Sequence, residues 1–240
     1  MLMNPQNLLQ PVAQLRERVA AAAALAGRSV DSVTILTVSK GHPAATVRAA
    51  IAAGLTQFGE SYLQEALPKQ SELAAPTPPT LAACTGLVWH FIGRLQSNKT
   101  RPVAEHFDWV HAVDRLKVAE RLAEQRPYHA PPLNVCLQVN IAAEASKGGI
   151  APAEVPELAR CVAALPRLKL RGLMCMPPEE DDPTRQRVWF ARLRELQESL
   201  RAGGLPVDTL SMGTSDDFEA AILEGATIVR IGTALLGPRA

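Results

Sequence analysis

Short runs of branched and apolar residues recur along this chain, and longer stretches of helical periodicity separate them. Eight runs read as strands: 34–39, 57–59, 88–93, 109–112, 134–140, 169–176, 209–212 and 227–232. Helix-like stretches lie between them at 44–53, 61–74, 99–106, 115–125, 153–165, 184–202 and 215–223. Runs such as Val33-Thr34-Ile35-Leu36-Thr37-Val38 are nearly all apolar or β-branched. A strand buried on both faces, as in a parallel sheet, reads that way. Strands that alternate with helices imply parallel strands joined by crossover helices. Eight such units in 240 residues predict an α/β fold. The pattern fits one closed (β/α)8 barrel, with residues 1–240 as a single domain. An open doubly wound sheet is the alternative. That fold usually carries a glycine-rich first turn, and no GxGxxG follows the first strand.

Two segments fall outside the alternation. The apolar stretch 19–25 is preceded by Arg16, Glu17 and Arg18 and followed by Gly27 and Arg28. It is too short to span a bilayer and lacks the pattern of a secretory signal. It reads as part of an extra, alanine-rich N-terminal helix over about 7–26. Residues 76–86 are proline-rich and read as a surface loop insertion.

Composition narrows the function classes. Hydrophobic residues make up 47% of the chain, enough for a large core. The net charge of +1 and the lack of a dense basic block give no footprint for nucleic acid. Nothing points to a membrane. Cys84, Cys136, Cys161 and Cys175 form no CxxC pair and read as reduced thiols in a cytoplasmic protein. The five histidines form no metal-ligand cluster.

In a barrel, chemistry collects at the C-terminal ends of the strands. The first strand ends in Lys40, before the stop at Gly41-His42-Pro43. An amine held there and partly desolvated has a lowered pKa and can attack a carbonyl. The alternative is a lysine that snorkels to water. The last two strands deliver Ser211-Met212-Gly213-Thr214-Ser215 and Arg230-Ile231-Gly232-Thr233. Loops at these places often build a phosphate site. Gly213 and Gly232 would let a phosphate approach the backbone, or they serve turns only. Thr214 to Asp217 carries a helix-capping pattern. Arg230 lies inside an apolar strand and needs a partner. That partner is an acid such as Glu60, closing a structural ion pair, or a ligand atom. His90, between Trp89 and Phe91, reads as a hydrogen-bonded core group. Met174 and Met176 read as core packing, and residues 179–182 as a solvated acidic loop. An amine on one strand and a phosphate cradle opposite it suit a ligand with an aldehyde and a phosphate. Pyridoxal 5′-phosphate has both.

Six stretches carry a family resemblance: LTVSKGHP (36–43), FGESYLQE (58–65), WHFIGRLQSNK (89–99), LQVNIAAEASKGGI (137–150), LRGLMCMP (170–177) and LSMGTSDDFEAAILEGATIVRIGTALLG (210–237). Together they resemble the pyridoxal phosphate homeostasis proteins, whose fold is like the N-terminal barrel of alanine racemase. The resemblance implies that Lys40 forms a Schiff base with pyridoxal phosphate. It implies that Ser211, Gly232, Thr233 and the backbone around Gly213 hold the phosphate, and that Arg230 faces the pyridine nitrogen. An arginine cannot give up its proton, so the ring nitrogen stays unprotonated and carbanion chemistry is disfavoured. Three positions depart from the usual family pattern: Ser61 stands where asparagine is common, Thr214 where an apolar residue is common, and Gly148 where serine is common.

Two function classes follow. One is a non-catalytic protein that buffers and delivers pyridoxal phosphate to apo-enzymes or free amines, expected as a monomer. The other is an imine-forming enzyme, a racemase or a barrel enzyme acting on a phosphorylated sugar. Racemisation needs a proton donor on each face of the substrate carbon. Alanine racemases use a tyrosine and a second, β-rich domain. Here the chain stops at Ala240 and has only Tyr62 and Tyr128, so the carrier is the expected function.

Overall fold

The computed structural model describes residues 6–74, 86–144 and 147–238. Eight parallel strands close into a barrel in sequence order. They are β1 (Thr34–Val38), β2 (Gln57–Glu60), β3 (Val88–Phe91), β4 (Trp109–Val113), β5 (Leu133–Val139), β6 (Leu168–Cys175), β7 (Thr209–Ser211) and β8 (Ile228–Ile231). Pairing of β1 with β8, from Thr34 opposite Ile228 to Thr37 opposite Ile231, completes the ring. All eight expected strands form, each within about two residues of its expected ends. The expected loop at 76–86 lies outside the described residues except for Gly86.

The helices form the outer layer: α1 (Gln6–Leu25), α2 (Ala44–Ala52), α3 (Leu63–Ala74), α4 (Thr100–His106), α5 (Leu116–Gln125), α6 (Val155–Ala163), α7 (Pro183–Ala202), α8 (Phe218–Leu223) and α9 (Thr233–Leu236). The extra helix α1 buries Leu8, Val12, Leu15, Val19, Ala22 and Ala23. These positions fall three, four or one apart, one stripe of a helix, and the stripe packs on α8 and α9. Among the described residues no helix is long and apolar enough to cross a membrane.

Two departures from the expected elements have local causes. Helix α8 starts at Phe218 rather than 215, because the Asp217 carboxylate accepts the N–H and the hydroxyl of Thr214 and holds that segment as a turn. Helix α9 was not expected, since four residues carry no readable period. Gly213, at the end of β7, has φ +90, and a Cβ there would stand 2.6 Å from the Ala221 Cβ. A glycine is therefore required for α8 to pack against the strand end.

The barrel interior is not wholly apolar. His90 and His111 are buried side by side, with His90 Nδ1 2.9 Å from His111 Nε2. His90 Nε2 lies 2.7 Å from Gln57 Oε1, and His111 Nδ1 lies 2.7 Å from Ser211 Oγ. The His90 ring also stacks on Trp109. Burial holds His90 down at about 3 and His111 far below the ordinary histidine value. Nearby, Met174 packs with Ala112 and Cys136. Burial pushes the Cys136 and Cys175 thiols up to about 12, so they are inert core groups.

Two outcomes follow from these placements. Gly213→Ala should cost about 2 kcal/mol or more in urea unfolding, through positive φ and overpacking; an unchanged midpoint would contradict the packing described. The histidines have depressed folded-state pKa values, so the unfolded chain binds the extra protons and stability falls as pH drops below about 6.5. With His90 at about 3, urea unfolding at pH 5 should show a loss of about 2 kcal/mol relative to pH 7 from this residue alone. Ring NMR shifts should report both histidines neutral at pH 5, and a protonated ring in the folded protein would contradict the burial.

Candidate cofactor site

Lys40 stands two residues beyond the end of β1, in the turn that leads to α2. The chain on either side of it is clamped. The Ser39 hydroxyl donates to Glu60 Oε1 at 2.6 Å, and the Ser39 carbonyl accepts from Lys69 Nζ at 2.8 Å. Lys69 reaches from α3 to close a buried ion pair with Glu60, 2.5 Å apart. Burial pushes the Glu60 carboxyl above its ordinary range, against the pull of Lys69 and Ser39. On the other side, the Gly41 N–H donates to Glu65 Oε2 at 2.8 Å. The Lys40 backbone is thus fixed by β2 and α3 as well as by its own strand. Lys69 gave no sign in the sequence beyond a position four residues after Glu65, a spacing that also suits a surface pair.

Lys40 lines a cavity of about 210 Å³ with Val38, Ile92, Met176, Thr214, Ser215, Asp216, Arg230, Gly232 and Thr233. Four of the six expected site residues meet here or at its rim: Lys40, Arg230, Gly232 and Thr233. The β7 and β8 loops are joined, since the Ala234 N–H donates to Ser215 Oγ. In the first turn of α9 the Leu235 and Leu236 N–H groups donate to the Gly232 carbonyl, at 3.0 and 2.8 Å. Thr233, Thr214 and Ser215 add hydroxyls, and Lys40 and Arg230 add positive charge. That donor set fits a phosphate at the β7–β8 side and a carbonyl at Lys40. Met176, expected in the core, is half exposed at the cavity wall.

Ser211 and Gly213 stand elsewhere. Ser211 is fully buried, and its hydroxyl is engaged by His111 and by Arg230 Nη1, 3.0 Å away. Its hydroxyl is thus directed into the barrel, and Ser211 is not among the residues that line the Lys40 cavity. The Gly213 carbonyl accepts the Arg230 N–H at 3.0 Å, and its missing side chain makes room for α8. Of the two partners open to Arg230, an acid such as Glu60 or a ligand atom, Glu60 is not one. Glu60 is taken by Lys69 and Ser39, whereas Arg230 donates to the carbonyl oxygens of Ser211 at 2.6 Å and Cys175 at 2.8 Å. Burial presses its pKa downward, yet an arginine keeps its proton.

A larger cavity, about 720 Å³, lies over the ends of β2 and β3. It is lined by Ser61, Tyr62, Arg94, Lys99 and Arg115 among others, and not by Lys40. Ser61 therefore stands apart from the Lys40 cavity. A Cβ on Gly93 would come within 2.2 Å of the Ser61 carbonyl, so the two loops touch through backbone alone.

Residues 12–240 match the family model for the alanine racemase N-terminal domain. The pyridoxal phosphate homeostasis protein of Pseudomonas aeruginosa is 58% identical over 97% of this chain and 96% of its own. That of Escherichia coli K12 is 50% identical over 97% of each. PipY of Synechococcus elongatus, solved with pyridoxal phosphate bound, is 38% identical with a TM-score of 0.77, covering 92% of this chain and 99% of PipY. Alanine racemase of Clostridium difficile shares the fold at 13% identity and a TM-score of 0.73, with 97% of this chain and 57% of that one covered. The chain belongs to the pyridoxal phosphate homeostasis protein family, built on the alanine racemase N-terminal barrel.

Proposed function

We propose that this chain binds pyridoxal 5′-phosphate between β7, β8 and β1, holds it covalently through Lys40, and buffers and delivers it without turning over a substrate. The observation that carries this reading is the convergence of Lys40, Arg230 and the Thr214–Ser215 and Gly232–Thr233 segments on one cavity. The names of the relatives and the ligand in PipY agree with it.

When bound, pyridoxal phosphate supplies an aldehyde that amines attack and a ring that withdraws electrons best when its nitrogen is protonated. Lys40 brings the amine on a backbone clamped at Ser39 and Gly41. The Thr233 and Ser215 hydroxyls, with the backbone at Gly232–Thr233 and beyond Gly213, bind the phosphate. Arg230 donates to the ring nitrogen and keeps its own proton, which leaves the ring a weak electron sink.

The remaining residues also favour a carrier. Tyr62 lies in the β2–β3 cavity, and Tyr128 is exposed in the turn between α5 and β5, at the opposite end of the barrel. Among the described residues, no tyrosine lines the Lys40 cavity to serve the second face of a substrate carbon. Lys40 itself is half-buried, so amines from solvent reach it. Free amines and apo-enzymes are the acceptors we assign, with the chain acting as a one-domain cytoplasmic monomer.

Purified protein given pyridoxal phosphate should turn yellow. Borohydride should bleach the band and fix a pyridoxyl group on Lys40 in peptide mapping. Lys40→Ala should lose the label and keep its circular dichroism spectrum; a label that persists in this variant would overturn the role of Lys40. Pyridoxal, which lacks the phosphate, should bind roughly a hundredfold more weakly, the worth of two charge-assisted hydrogen bonds. Equal affinity would remove the phosphate cradle.

A further inference from the structure

A row of buried polar side chains crosses the barrel beneath Arg230 and has no part in the binding contacts above. It runs from Arg230 Nη1 to Ser211 Oγ, from Ser211 to His111 Nδ1, from His111 Nε2 to His90 Nδ1, and from His90 Nε2 to Gln57 Oε1. The four contacts measure 3.0, 2.7, 2.9 and 2.7 Å. Arginine has no acceptor, so Ser211 Oγ accepts from Arg230. At the far end the Gln57 carbonyl oxygen can only accept, so it takes the His90 Nε2 hydrogen. One arrangement then satisfies every link: the Ser211 hydroxyl donates to a bare His111 Nδ1. A neutral His111 carries its hydrogen on Nε2 and donates to His90 Nδ1. His90 in turn donates from Nε2 to the Gln57 carbonyl oxygen. Each group gives one hydrogen and receives one, with both histidines neutral and in the Nε2–H form. A proton added to either ring turns an acceptor into a donor and breaks a link.

We propose that His111 and His90 are positioning residues that hold the Arg230 guanidinium in register with the ring nitrogen of the cofactor, through Ser211. This rests on the placement of pyridoxal phosphate given above. The chemistry suits the task. A carboxylate beneath Arg230 would neutralise it and draw its hydrogens downward. A neutral relay fixes one edge of the guanidinium and leaves the full charge for the cavity. The Ser211 carbonyl also accepts from Nη1 and the Cys175 carbonyl from Nη2, so three hydrogen bonds set the orientation.

The test compares the binding of pyridoxal 5′-phosphate with that of its 1-deaza analogue, in which a C–H replaces the ring nitrogen. Wild-type protein should favour the nitrogen-bearing ligand. His111→Phe fills the same buried space and cuts the relay. It should weaken pyridoxal phosphate at least tenfold and change the 1-deaza analogue less than twofold, which erases the preference. Equal weakening of both ligands would mark His111 as merely structural, and an intact preference would show that Arg230 needs no relay; either overturns the proposal. Should His111→Phe fail to fold, Ser211→Ala removes the link next to Arg230, and the same two comparisons decide. A wild-type protein that binds both ligands equally would instead overturn the placement of Arg230 at the ring nitrogen, and the relay's role would fall with it. Absence of any pyridoxal phosphate binding would overturn the functional reading itself.

Discussion

The barrel is organised around a charge that it cannot discard. Arg230 is 5% exposed in the middle of an apolar strand, and a buried guanidinium without partners is too costly to keep. The chain meets that cost with neutral groups: two carbonyls, one hydroxyl and, behind the hydroxyl, two histidines and a glutamine. These partners come from β7, β6, β4, β3 and β2, so the hydrogen bonding of one side chain ties together most of the ring. Gly213 enters for a related reason. Its carbonyl holds the Arg230 N–H, and its missing side chain lets α8 close over that point.

Lys40, the anchor proposed for the cofactor, is treated in the opposite way. Lys40 lies outside the strand and is clamped by charged groups, through Ser39 to Glu60 and Lys69 and through Gly41 to Glu65. The acids and the second lysine act on its backbone neighbours. The result is a fixed backbone that carries a half-buried side chain. Arg230 thus has neutral hydrogen-bond partners inside the barrel, and Lys40 stands at an accessible edge of the same cavity.

The strands were legible because parallel strands buried on both faces are nearly continuous apolar runs, and eight of them alternate with helices. Lys40, Arg230, Gly232 and Thr233 could be grouped from the sequence because the C-terminal strand ends share one mouth of a barrel, and the structure gathers these four around one cavity. Ser211 was expected at the phosphate, and its hydroxyl lies inside the barrel on His111 and Arg230; side chains alternate between the two faces of a strand, and a three-residue strand has too little pattern to show which face a given residue takes. His90 was read as a hydrogen-bonded core group, and it is one. Its partner His111 lies 21 positions away, inside Trp109-Val110-His111-Ala112-Val113, where no local pattern marks it. Lys69 looked like an ordinary helix-surface lysine, and only the fold turns it inward to Glu60.

The most direct measurement is a crystal structure of this chain soaked with pyridoxal phosphate. The expected result is density joining Lys40 Nζ to the ligand, the ring nitrogen within hydrogen-bond distance of Arg230, and the phosphate on the loops at 213–215 and 232–234. A ligand seated instead in the larger β2–β3 cavity, on Arg94, Lys99 and Arg115, would contradict the account.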